Sequence, residues 1–193
     1  MTLGVGGFFE DDFVGAFVLN IVCIVVARFN APPLSVLSEN GLLLNGWGAA
    51  DDLLSAVTEE EDLIGVIDCG NSTVLISDSS QFLCEGFSDF LGFLSKESSV
   101  FMLLNQDASG GLWFEFHEKG QMKRQWVMVE GSVHSNVGAP LNALDESVFW
   151  GLDEDACDFW AAVELMEQVT NVKWENLAGK GAIYRLIAPL PFK

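Results

Sequence analysis

The chain has 193 residues, half of them hydrophobic and 15 of them Phe, with 28 acidic against 9 basic residues and a formal net charge of −19. That much apolar material argues against a disordered chain, and the length suits one domain with a sizeable core. The charge repels phosphate backbones and argues against direct nucleic-acid binding, while a dense negative surface either serves solubility or steers a basic partner to the chain.

The first twelve residues mix Gly4, Gly6 and Gly7 with Phe8 and Phe9 and end in Glu10-Asp11-Asp12. They are expected to be flexible, and without a positive n-region they make the following apolar run a poor signal peptide. That run, Phe13 to Ala27, has Asn20 as its only polar member and admits two readings. As a helix it would span about 22 Å, short of the roughly 30 Å hydrocarbon core of a membrane. Its β-branched residues, Val18, Ile21, Val22, Ile24, Val25 and Val26, favour the other reading, a central strand buried on both faces. Pro32-Pro33 can then open a short helix carrying Leu34, Val36 and Leu37, stopped at Gly41. Leu42 to Leu44 reads as a short apolar segment ending in a loop, Asn45-Gly46-Trp47-Gly48. A second short helix is expected from about Ala49 to Val57, with Asp51 and Asp52 in its first turn. An acidic loop, Thr58-Glu59-Glu60-Glu61-Asp62, follows; it is either a solvated turn or a docking patch for a cationic surface.

The stretch from Leu63 to Val129 carries the most consistent local signals. Leu63 to Asp68 and Thr73 to Ser77 read as strands flanking a hairpin turn at Cys69-Gly70-Asn71. Asp78, Ser79 or Ser80 can cap a helix whose Leu83, Phe87, Phe90, Leu91 and Leu94 recur at helical spacing. Ser98 to Leu104 forms the next strand, and Asn105 to Gly111 connects it to a hairpin: Trp113, Phe114 and Phe116 enter, Lys119-Gly120 turns, and Trp126 to Val129 returns. From Glu130 to Asn142 the chain reads as a polar surface loop, with a short turn expected through Phe149 and Trp150. A helix begins after Asp153, with Ala156, Phe159, Trp160, Val163, Met166, Glu167 and Thr170 at helical intervals and Asn171 capping its end. Ile183 to Ile187 makes a late strand. The fold class is α+β, a mainly antiparallel sheet with helices packed against it in a single domain.

No residue pattern carries an obvious chemistry. The four cysteines, Cys23, Cys69, Cys84 and Cys157, are scattered without C-x-x-C spacing and suit reduced core positions in a cytosolic protein. His117 and His134 show no zinc-binding spacing, and His117 is expected on the hairpin surface. The sequence has no P-loop, nucleophile elbow or dinucleotide fingerprint, and Asp153-Glu154-Asp155 fits helix capping better than a calcium loop. These features point to no cofactor, no metal and no enzyme. Trp113 and Trp126 flank the hairpin turn, and Trp47 and Trp150 fall in loops or turns; tryptophans ringed by acidic groups would suit a protein interface, or they cover the edge of the core.

Three pieces together resemble a bacterial family of small domains found as immunity proteins beside polymorphic or contact-delivered toxins. They are Val22-Cys23-Ile24-Val25-Val26-Ala27-Arg28 with the Pro32-to-Leu37 helix; the strand, helix and hairpin from Val66 to Val129; and Ala161 to Val172. Asn171 stands where a glycine is more usual. The resemblance implies binding without catalysis, and the family has no catalytic residue to carry over. The expected partner is a cognate protein toxin with a basic surface, with no membrane and no nucleic acid involved, in the cytoplasm. The expected contact residues are Glu59, Glu60, Glu61 and Asp62 in the acidic loop and Trp113 and Trp126 on the hairpin. Two competing readings are an acidic nucleic-acid mimic and an enzyme with an acidic, metal-binding cleft, which would need a buried carboxylate cluster with raised pKa values.

Overall fold

The structure, a computed structural model, describes residues 22–27, 33–39, 44–58, 62–77, 87–106, 110–141, 159–177 and 180–186. In chain order the elements are β1 (Val22–Ala27), α1 (Pro33–Glu39), β2 (Leu44–Ala50), α2 (Leu53–Thr58), β3 (Leu63–Asp68), β4 (Thr73–Ser77), α3 (Phe87–Leu94), β5 (Ser99–Gln106), β6 (Gly111–Glu118), β7 (Gln121–Val129), β8 (Ser132–Gly138), α4 (Phe159–Thr170), a 3₁₀ turn (Trp174–Asn176) and β9 (Gly181–Leu186). The strands form one nine-stranded sheet in the order β2-β9-β3-β4-β1-β5-β6-β7-β8, and every described pairing is antiparallel. The fold is therefore α+β, as the sequence leads one to expect.

β1 lies in the middle of the sheet, with β4 on one side and β5 on the other. That central position, paired on both sides, suits a run of β-branched residues. The first part of the run, residues 13–21, lies outside the described residues, as does the Met1-to-Asp12 segment. Among the described residues no helix is long and apolar enough to cross a membrane.

Antiparallel sheets commonly leave one face in water, but here both faces are covered, and period-two alternation divides the apolar residues between them. Val100, Met102 and Leu104 of β5 face one side and join Leu37 of α1 and Phe87, Phe90, Leu91 and Leu94 of α3. Phe101 and Leu103 face the other side, with Leu53 and Val57 of α2 and Ala162, Val163, Leu165 and Met166 of α4. On that second face the rings of Phe101, Phe114 and Trp126, from three successive strands, stack in a row with centroids 5.8 and 6.2 Å apart. α2 can sit close because β3 and β9 present glycine beneath it; a methyl group at Gly65 would meet the Leu53 side chain at 2.5 Å. Asp52 caps α2, its carboxylate accepting the Ser55 N–H at 3.2 Å and the Ser55 hydroxyl at 2.8 Å.

Several elements depart from the sequence reading. The segment 45–48 is not a loop but part of β2, an edge strand whose side chains are mostly exposed, and a bulge between Gly46 and Gly48 sets Trp47 outward over the Arg185 guanidinium at 4.1 Å. The helix after it starts at Leu53 rather than Ala49. The segment 130–142 holds the opposite edge strand, β8, entered through a two-residue turn with Glu130 at φ 50° and Gly131 at φ 71°. Both strands look like loops in sequence because an edge strand exposed on its faces has no hydrophobic alternation to show. The Lys119-Gly120 hairpin is as expected, with φ 54° and 74°, a turn matched to the twist of its strands. Leu83, the caps at 78–80, Ala156 and the turn through Phe149 and Trp150 lie outside the described residues.

Candidate functional site

α4 turns one side to the sheet and the other to solvent. Ala162, Val163, Leu165, Met166 and Thr170 are buried, whereas Trp160, Glu164 and Gln168, each four residues on from the last, form an exposed stripe. Trp160 is 56% exposed, so it is not the core residue that its helical spacing suggests. Phe159, Trp160 and Trp174 meet edge to face, with centroids 5.4 to 5.5 Å apart, which fixes the Trp160 indole without burying it.

The helix ends at Asn171, whose φ of 60° and N–H bond to the Glu167 carbonyl make it the expected C-terminal cap. The chain then folds back so that the Glu167 carboxylate accepts the Trp174 N–H at 2.8 Å and the Lys173 ammonium at 2.6 Å. The Lys173 hydrogen bond, and then the Trp174 bond, hold the Glu167 pKa below its ordinary value. Lys173 has its pKa raised, first by its hydrogen bond to Glu167 and also by the charges of Glu167, Glu175 and Glu164. One lysine is thus set among three carboxylates, beside an exposed tryptophan. This face combines an anchored aromatic with a surplus of negative charge, and it was missed in the sequence because the apolar spacing of α4 assigns Trp160 to the core.

A second constellation lies on the other face of the sheet, under α3. Glu115, in the middle of β6, is fully buried and accepts four hydrogen bonds. Trp113 Nε1 and Gln125 Nε2 donate to its Oε1 at 3.0 and 2.7 Å, and Ser88 Oγ and His117 Nε2 approach its Oε2 at 2.8 and 2.6 Å. Gln125 in turn accepts the Ser135 hydroxyl of β8. Burial pushes the Glu115 pKa up, but the hydrogen bonds from His117, Gln125 and Ser88, joined by the attraction of His117 whenever its ring is charged, outweigh it, and the net direction is down. The carboxylate is therefore ionised and ties α3, β6, β7 and β8 together. His117 is not on the hairpin surface, being only 2% exposed; α3 covers this end of the hairpin, where the Gly120 N–H donates to the Ser95 carbonyl at 3.1 Å.

The contact residues expected from sequence are not brought together. Glu59, Glu60 and Glu61 lie outside the described residues, and Asp62 is half-exposed with φ 68°. Trp126 is fully buried, because it pairs with Phe114 across the hairpin on the α4 face and so points into the core. It cannot meet a partner. Trp113 is half-buried, its indole N–H committed to Glu115.

Among the described residues no three of His, Cys, Asp and Glu gather as metal ligands, and Glu115 is the one buried carboxylate. Its pKa is lowered, so it does not show the raised value named above as the sign of the acidic-cleft reading. The described acids are also spread out, with Asp51 near the β2 edge, Asp89 on α3, Glu130 at the β7–β8 turn and Glu164 on α4, rather than drawn into one stripe. Cys69 is free and half-buried, with its thiol pKa pushed up by burial and by the Asp68 charge; Cys84 and Cys157 lie outside the described residues. Compared with protein-family models, with curated proteins and with solved structures, the chain matches none.

Proposed function

We propose that this chain is an immunity-type inhibitor, which binds a cognate basic protein toxin and blocks it without chemistry of its own. The observation that carries the reading is the exposed face of α4: Trp160, 56% exposed, with Glu164, Glu167 and Glu175 grouped around Lys173 beside it. Tryptophan anchors are over-represented among interface hot spots, where truncation costs about 2 kcal/mol or more. Carboxylates around such an anchor repel acidic partners and favour a cationic surface. The net charge of −19 extends the attraction beyond the contact itself, and steering of this kind raises association rates by roughly 10- to 1000-fold at low salt. In this reading the buried Glu115 network holds the sheet in shape, and the binding surface lies on the opposite face.

The test is co-purification of the tagged chain with the protein encoded beside it, the candidate toxin, at low and at high salt. The inhibitor reading predicts a one-to-one complex that forms fastest at low salt. No complex at either salt would overturn it.

A further inference from the structure

We propose that the cavity between α3 and the β6–β7 turn binds an aromatic ring bearing an uncharged hydrogen-bond donor, such as a phenol or a tyrosine side chain. The proposal does not depend on the inhibitor reading and concerns the other face of the sheet. The cavity has a volume of about 400 Å³ and His117 at its floor. Nε2 of that ring faces the Glu115 carboxylate at 2.6 Å. Because the carboxylate already acts as an acceptor towards three other donors, Nε2 carries the proton, and in the neutral ring Nδ1 is an acceptor. Nδ1 is buried and has no hydrogen-bond partner among the described residues. A buried acceptor left unmade is costly, so a ligand that donates to it gains more than one that only fills space.

Gly92, which has no side chain, lies against Nδ1 on the α3 side. A methyl group at Gly92 would stand 4.0 Å from Nδ1 and 3.6 Å from the Gly120 carbonyl oxygen. The rim is apolar where a ring would lie, with Phe93 49% and Met122 37% exposed. Charge selects neutrality: Asp89 and Lys96 line the same cavity with opposite signs, and the Glu115 carboxylate lies beneath it. An anion would face two carboxylates, and a cation, though it would meet those two against the one Lys96 ammonium, would have to give up its water to reach the buried Nδ1, so an uncharged donor is the best match.

The experiment titrates phenol, anisole, benzoate and N-acetyltyrosine amide into the full-length ¹⁵N-labelled protein, following the His117 ring nitrogens by long-range ¹H–¹⁵N correlation. Phenol is expected to bind saturably and to move the Nδ1 signal from that of a free acceptor towards that of a hydrogen-bonded one. Anisole, the same ring without the donor, and benzoate are expected to bind at least tenfold more weakly. Gly92→Ala should abolish the phenol response while leaving the melting temperature near that of the parent. Binding of N-acetyltyrosine amide as well as phenol supports a polypeptide side chain as the source, and binding of phenol alone supports a free small molecule. Equal binding of phenol and anisole, preference for benzoate, or an Nδ1 signal that does not move overturns the proposal.

Discussion

Replacing Glu115 with glutamine tests the most heavily bonded group in the fold while keeping its shape. The carboxylate accepts four donors with two oxygens; an amide can accept with only one and must turn its own N–H groups towards the other two donors. Bonds to an ionised group contribute about 1.5–3 kcal/mol each. Ser88, Trp113 and Gln125 are half-buried and can turn partly to water, whereas His117 is 2% exposed and cannot. The loss should therefore be that of one to two such bonds, about 2–4 kcal/mol, or a fall in melting temperature of about 4–16 °C for a chain of this size. Glu115→Ala, which leaves every donor without its acceptor, should cost about 3–5 kcal/mol.

The effect must also have a particular pH dependence. The folded pKa of Glu115 lies below its ordinary 4.5, so its contribution is fully present above pH 4.5 and is lost as the pH falls through the folded pKa. Urea unfolding followed by circular dichroism should show a gap between the parent and Glu115→Gln that narrows as the pH falls below about 4.5. A gap under about 0.5 kcal/mol at pH 7, or one that widens as the pH falls below 4.5, would refute the reasoning.

Other outcomes follow from the same geometry. Gly138→Ala should destabilise the β7–β8 edge by about 2 kcal/mol or more, because Gly138 has φ 87° and a methyl group there would come within 2.0 Å of the Lys123 carbonyl oxygen; equilibrium unfolding checks it. Trp126→Ala should cost about 3–5 kcal/mol, the cost of emptying a fully buried ring site, whereas Trp160→Ala should cost less than half as much and act on partner binding instead. Tryptophan fluorescence should shift as the pH falls below 4.5 and Glu167, whose folded pKa is depressed, protonates and releases the Trp174 N–H; Glu167→Gln should show the acid spectrum already at pH 7.

The parts of the fold that were legible in sequence are those where local chemistry and tertiary environment agree. Val22 to Ala27 is β-branched and lies at the centre of a two-sided sheet; Lys119-Gly120 is a turn by residue type and by φ; Phe87, Phe90, Leu91 and Leu94 keep helical spacing and are all buried. The parts that were not legible lie where an element is exposed or a polar group is enclosed. β2 and β8 face water on the sheet edges and lose the alternation that marks a strand. Glu115 and His117, two positions apart on β6, therefore share a face with Trp113, but sequence alone does not say that α3 and Gln125 close over them. The same gap hid Trp160. Spacing places it beside Phe159 and Val163, but only the course of the chain through Lys173 and Trp174 shows which side of α4 stays wet.

The central claim, that the exposed α4 face neutralises a basic toxin, is tested most directly by growth of cells expressing the protein encoded beside this chain, the candidate toxin, together with either the parent chain or the triple variant Trp160→Ala, Glu164→Gln, Glu175→Gln. The inhibitor reading predicts that the parent restores growth and that the variant, folded to the same extent by circular dichroism, does not. Failure of the parent to protect, or equal protection by the variant, would contradict it.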